Sequence, residues 1–169
     1  MTEGLRGFEF LEYFSKVPIV NDYYLKVCSL DEIPRTFKVR QFAIVNLSTT
    51  AEPGSHWIVI FRSGKDIYEI FNSLGFSSLN LLLPYFKPKT KVHVIFNEHQ
   101  FQSNSTSTCG LFCIYFAIHR VLCYDQCFTH VLEEVFDSTD TDANENKCIA
   151  FCNRLKSSPD DSTLFDDSD

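Results

Sequence analysis

The feature that most constrains this chain is the break between Thr108 and Cys109. Residues 102–108 (QSNSTST) contain no aliphatic side chain, and the next ten residues, CGLFCIYFAI, are apolar except for Gly110. A segment apolar on every side reads as a helix buried through the middle of a domain, with Thr108 as its cap. Cys109 then stands in the first turn. There the unpaired backbone N–H groups and the positive end of the helix dipole favour thiolate, the nucleophilic form of cysteine. Position alone favours a plainer account, because free cysteines are usually buried and inert. Other residues set Cys109 apart.

With 169 residues the chain suits one domain with a real core and is too short for two. We place the domain at 1–156 and an acidic, disordered tail at 157–169, where five Asp stand without Lys or Arg. The body then carries 15 basic and 17 acidic residues, which offers no electrostatic footprint for nucleic acid. No apolar signal core or membrane-length run is present, so a non-secreted protein with no membrane partner is expected. Seven cysteines without CxxC spacing read as free thiols. They include pairs four apart (109/113, 123/127, 148/152), a spacing that puts two side chains on one helix face. A buried face explains these pairs more simply than a zinc site does. The acidic stretch 137–145 lacks the glycine a calcium loop requires, so no metal is expected.

The patterning predicts a short amphipathic helix in 4–16, with Phe8, Leu11, Tyr13 and Phe14 inward, and an irregular stretch over 17–35. Strands are expected at 42–46, 56–61, 67–72 and 91–96, a short helix at 79–86, and helices at 128–136 and 144–156. The strands at 56–61 and 67–72 are apolar on both faces and belong in the middle of a covered sheet. By alternation Glu69 lies on the face away from Asn72, where replacement by Gln should be tolerated.

If 62–66 is a five-residue hairpin loop, Phe61 pairs with Ile67, and His56 falls directly opposite Asn72. Opposed residues share a face with Cβ atoms about 4.5–5.5 Å apart. The Asn72 carboxamide could then fix the His56 ring and turn its other nitrogen to a cysteine, the logic of nucleophile, base and orienting group. The chain also holds His93, His99, His119 and His130. His56 is preferred because it starts a strand after Pro53 and Gly54 and is followed by Trp57, which can wall a site. Gln102 stands seven residues before Cys109. A loop wrapping back to the helix start could set its carboxamide beside the Cys109 N–H, giving two donors for an oxyanion. A solvated glutamine is the simpler account from spacing alone.

The ordered set HW, FNSLGFS and Q-x6-CGLFC, following AIVN and a loop of small residues, resembles the adenain family. These are the adenovirus-type cysteine proteases, found also in virus-like Polinton or Maverick elements and related to the SUMO-specific proteases. The resemblance runs over about residues 42–116. It implies an α+β cysteine-protease fold with a central mixed β-sheet and a buried helix carrying the nucleophile at its N-terminus. Carried over by position, it makes Cys109 the nucleophile, His56 the base, Asn72 the orienting residue, and Gln102 with the Cys109 N–H the oxyanion hole. Trp57 and Gly110 are assigned to substrate binding, and small residues, notably Gly, are preferred beside the scissile bond.

The resemblance further implies an endopeptidase that cleaves capsid or polyprotein precursors during particle maturation. It would work as a monomer in the host cytoplasm or nucleus, or packaged in particles. The family's third residue is usually Glu or Asp, and here it is Asn72. Adenovirus protease also joins a peptide cofactor through a cysteine on the strand before the polar loop and uses DNA as a cofactor. Residues 91–96 hold no cysteine and the chain is acidic, so the sequence supplies the basis for neither activator; an activating peptide held otherwise stays open as a partner. Two alternatives stand beside this reading. One is a protease deconjugating ubiquitin or SUMO, and the other is an inactive, capsid-binding relative.

Overall fold

Strands that are apolar on both faces need two covers, and the chain builds both. The structure, a computed structural model, describes residues 4–75 and 79–157. The element order is α1 (Glu9–Phe14), α2 (Pro18–Asn21), β1 (Tyr24–Ser29), a 3-10 turn (Leu30–Glu32), β2 (Phe42–Asn46), β3 (Trp57–Arg62) and β4 (Ile67–Phe71). Then follow α3 (Leu79–Leu82), β5 (His93–Phe96), α4 (Cys109–Leu122), α5 (Phe128–Val135) and α6 (Thr141–Ser157). One sheet holds all five strands in the order β1-β2-β3-β4-β5. The two outer pairings are parallel and the two inner ones antiparallel, so the fold is α+β with a mixed sheet. The proposed tail lies, from residue 158 onward, outside the described residues.

Ile44, Val59, Phe61 and Phe71 face the main core, which is filled by α4 and closed by α1, α5 and α6. Ala43, Val45, Ile58, Ile60, Tyr68 and Ile70 point the other way, against Leu30, Ile33, Phe37, Leu82 and Phe86. Helix α4 threads between sheet and outer helices with Phe112, Cys113, Ile114, Phe116, Ala117 and Ile118 all fully buried, as its unbroken apolar run requires.

Several expectations need correction. Phe8 and Leu11 are exposed (67% and 53%); α1 buries Phe10, Tyr13 and Phe14 instead. The stretch read as irregular holds α2 and the edge strand β1, whose partner β2 lies far along the chain. Strand β5 is the other edge, with alternate residues exposed, and is not a core strand. Cys123 and Cys127 sit at the two ends of the connection between α4 and α5 and share no helix face. The β3/β4 register is displaced by two residues: Phe61 opposes Glu69 and Arg62 opposes Tyr68. Pairing continues into the turn, where Ser63 N–H donates to the Ile67 carbonyl, and the Arg62 guanidinium ties the turn by donating to the Gly64 and Lys65 carbonyls. An even displacement leaves every side chain on its original face. His56 and Asn72, each one residue beyond its strand, therefore meet diagonally rather than head-on.

Candidate active site

Cys109 is the first residue of α4 and is itself nearly buried. It lines a cavity of about 540 Å³ together with His56, Trp57, Gln102 and residues 4–6. Thr108 occupies the cap position, but its hydroxyl does not bond the helix N–H groups. It donates instead to Glu145 Oε1 on α6 at 3.0 Å.

His56 ends a loop that is folded around one buried side chain. Asn46 Oδ1 accepts the backbone N–H of Ser48 (3.2 Å) and of Ser55 (3.0 Å), bringing the chain back to the sheet just before His56. The imidazole Nε2 lies 2.8 Å from Asn72 Oδ1. That oxygen also accepts the Leu74 N–H at 3.0 Å, so an oxygen and not the amide nitrogen faces the ring. Nε2 must then carry the hydrogen, which leaves the basic lone pair on Nδ1. Asn72 is held in turn by Asn97, whose side chain accepts from the Asn72 N–H (2.8 Å) and donates to the Asn72 carbonyl (2.7 Å). This carboxamide continues the pairing of β4 where β5 has stopped.

Gln102 is only 2% exposed, which removes the solvated account of it. Its Oε1 accepts the Ser73 hydroxyl at 2.6 Å, and its Nε2 donates to the Thr106 carbonyl at 3.0 Å and lies 3.3 Å from the Thr106 hydroxyl. An aromatic stack locates the backbone on both sides of the site. Phe71, just before Asn72, stacks on Phe116 of α4 at 4.3 Å, and Phe101, just before Gln102, stacks on Phe136 at 4.8 Å. Phe71 and Phe136 are themselves stacked at 5.4 Å. Gly75 closes the arrangement with φ of +72°. A Cβ there would meet the Gln100 backbone N at 2.3 Å, so only glycine allows this approach of the two loops.

The charges do not follow the helix-start expectation. Burial pushes the Cys109 thiol above its ordinary range, against a smaller opposite pull from the backbone N–H groups of Trp57, Gly110 and Cys109 itself. Burial also lowers the His56 pKa, partly offset by the bond to Asn72. Both shifts favour a resting pair of neutral thiol and neutral imidazole over an ion pair.

Trp57 does wall the cavity, and its indole N–H donates to the Leu5 carbonyl at 3.0 Å. Gly110 lies under Leu5, where an added Cβ would come within 2.9 Å of the Leu5 Cβ and Cδ1. Residues 4–6, read from the sequence only as part of a helix, are thus a wall of the site. Sequence reasoning also passed over Ser73, Asn97 and Asn144. Asn144 is fully buried on α6 and donates to the carbonyls of Phe101 (3.3 Å) and Asp137 (2.6 Å). The available signal was a polar residue set against an apolar run, as at Asn97 directly after β5.

No protein-family model and no curated protein matches the chain. Among solved structures, the chain is similar to the selenomethionine crystal structure of the ASFV pS273R protease, at 21% identity and a TM-score of 0.41. The similarity covers 68% of this chain and 43% of that one, so this chain spans less than half of that protein's length.

Proposed function

We propose that this protein is a cysteine endopeptidase of the adenain-like kind, with Cys109 as nucleophile, His56 as general base and Asn72 as the residue orienting it. The single observation that carries the reading is the 2.8 Å bond from His56 Nε2 to Asn72 Oδ1 on the wall of a cavity that Cys109 also lines. It supports a ring with one nitrogen tied and the other basic, as nucleophilic catalysis needs. Nδ1 takes the thiol proton as sulfur attacks the scissile carbonyl carbon. The carbonyl oxygen becomes an oxyanion held by Gln102 Nε2–H and the Cys109 N–H, which the helix leaves unpaired. The imidazolium then gives its proton to the leaving amine. Water, activated by the same base, hydrolyses the thioester and restores the thiol.

On the sequence resemblance, the substrates are structural polyprotein or capsid precursors cut beside small residues. The enzyme acts in the host cytoplasm or nucleus or inside particles, and needs no metal. Among the described residues no helix is long and apolar enough to cross a membrane. The test is Cys109→Ala, compared with wild type for cleavage of capsid precursors encoded beside this chain and of ubiquitin-like conjugates. Loss of precursor cleavage in a folded variant is the expected result, and full activity would end the reading. Cleavage of ubiquitin-like conjugates alone would move the protein to the deconjugating class.

A further inference from the structure

Ser73 binds the proposed oxyanion residue at two points and its neighbour Phe101 at a third. Its hydroxyl donates to Gln102 Oε1 at 2.6 Å, and its carbonyl accepts the N–H of Phe101 (2.8 Å) and of Gln102 (2.9 Å). Ser73 has no exposed surface and Gln102 almost none. Resting on the proposed peptidase function, we infer that Ser73 is a positioning residue that sets and strengthens the oxyanion donor of Gln102.

A buried carboxamide needs a donor at its oxygen and acceptors at its nitrogen. Thr106 offers its carbonyl on one side and Ser73 its hydroxyl on the other, so Oε1 must face Ser73 and Nε2 must face Thr106, while Gln102 lines the cavity that Cys109 also lines. One Nε2 hydrogen is taken by the Thr106 carbonyl. Among the described residues, the other contact of Nε2 is the 3.3 Å one to the Thr106 hydroxyl, a long bond that a developing oxyanion can replace. Donation into Oε1 also draws charge through the amide and makes its N–H groups better donors. Without the Ser73 hydroxyl, Oε1 is buried unpaired and the carboxamide has reason to turn.

Ser73 directly follows Asn72, so one peptide unit carries both the group that holds the base and the group that holds the oxyanion donor. The parallel bonds make this more than packing. Asn72 Oδ1 accepts from His56 while Ser73 Oγ donates to Gln102, and both backbones are fixed, by Asn97 and by residues 101 and 102.

The test compares full-length wild type, Ser73→Ala, Gln102→Ala and the double variant in two reactions of Cys109. Acylation by p-nitrophenyl acetate passes through an oxyanion; alkylation by iodoacetamide does not. Both are read as mass added at Cys109 against time. Ser73→Ala should slow acylation about 10–100-fold, within the ~10²–10³ that loss of a whole oxyanion donor costs, and leave alkylation within about twofold. In the Gln102→Ala background the same change should add no more than about twofold, because Ser73 acts through Gln102. Acylation of Ser73→Ala at the wild-type rate, equal slowing of both reactions, or multiplied effects in the double variant would each overturn the inference. If Ser73→Ala does not fold, Ser73→Cys, with a weaker donor of similar size, should show the acylation defect alone; a wild-type rate would again overturn it. Wild-type protein that alkylates at Cys109 but never acylates there would remove the peptidase reading itself, and this inference with it.

Discussion

Glu69 and Arg120 form a two-pronged ion pair inside the domain, with Arg120 Nε 2.7 Å from Glu69 Oε2 and Nη2 3.0 Å from Oε1. The two residues are 3% and 2% exposed, and the guanidinium also donates to the Cys123 and Tyr124 carbonyls at the end of α4. The pair joins the middle of β4 to the end of α4, which sets the distance over which the helix carries Cys109 toward Asn72. Glu69→Gln, expected from alternation to be harmless, leaves a buried charge uncompensated. It should cost about 3–5 kcal/mol of stability by urea unfolding. A loss below about 1 kcal/mol would show that Gln holds Arg120 as well as Glu does.

The resting state should be thiol and imidazole. Burial raises the Cys109 pKa, so the thiolate fraction at pH 7 should lie below the roughly 3% of an ordinary cysteine. Iodoacetamide alkylation at Cys109 should therefore climb with pH throughout the range from 6 to about 9. A plateau already present near pH 6 would mean a preformed ion pair.

On the proposed mechanism, Asn72 should set the acid side of activity. The base must be neutral, and burial lowers the His56 pKa, so the acid limb of kcat/KM should fall below the ordinary histidine value of about 6.5. Asn72→Asp puts an opposite charge at the ring and should move that limb to higher pH. Asn72→Ala removes the bond at Nε2 and should lower kcat across the range. Identical profiles for Asn72→Ala and wild type would leave the pairing without a catalytic role.

Gly110 should be replaceable only if the N-terminal wall gives way. Gly110→Ala drives a methyl into Leu5 and should cost about 1–3 kcal/mol while raising KM more than it lowers kcat. Leu5→Ala added to it should restore much of both. Failure of that rescue would place the strain in α4 itself.

The clamp from α6 is testable in the same way. Asn144 is fully buried and holds the Phe101 carbonyl, while its neighbour Glu145 accepts the Thr108 hydroxyl, so the start of α6 grips both ends of the loop carrying Gln102. Asn144→Ala strands the buried Phe101 carbonyl and removes two part-buried bonds to the Asp137 backbone, and should cost about 1–3 kcal/mol. Glu145→Gln keeps an acceptor for Thr108 and should be nearly silent in urea unfolding. A loss from Glu145→Gln as large as that from Asn144→Ala would mean that the carboxylate charge matters, and not the bond alone.

What could be read from the chain alone is what short-range pattern determines. The unbroken apolar run marks α4 as buried, and runs apolar on both faces mark β3 and β4 as inner strands, because burial demands those patterns at any site with two covered sides. Hairpin counting offered His56 and Asn72 as a pair, and the family resemblance added Cys109 and Gln102; the fold brings the four around one site. The tertiary structure decided the rest. The β3/β4 register moved by two residues because pairing runs on into a turn tied by Arg62, which counting loop residues does not anticipate. Strand β1 exists because β2, distant in sequence, offers it a parallel edge; YLKVCS is too mixed to declare itself. The roles of Ser73, Asn97, Asn144 and Glu69 depend on partners 25 to 51 residues away. A polar side chain carries the same local signature whether it faces water or completes a buried pair. Its meaning comes only when folding removes the water and leaves one partner within reach.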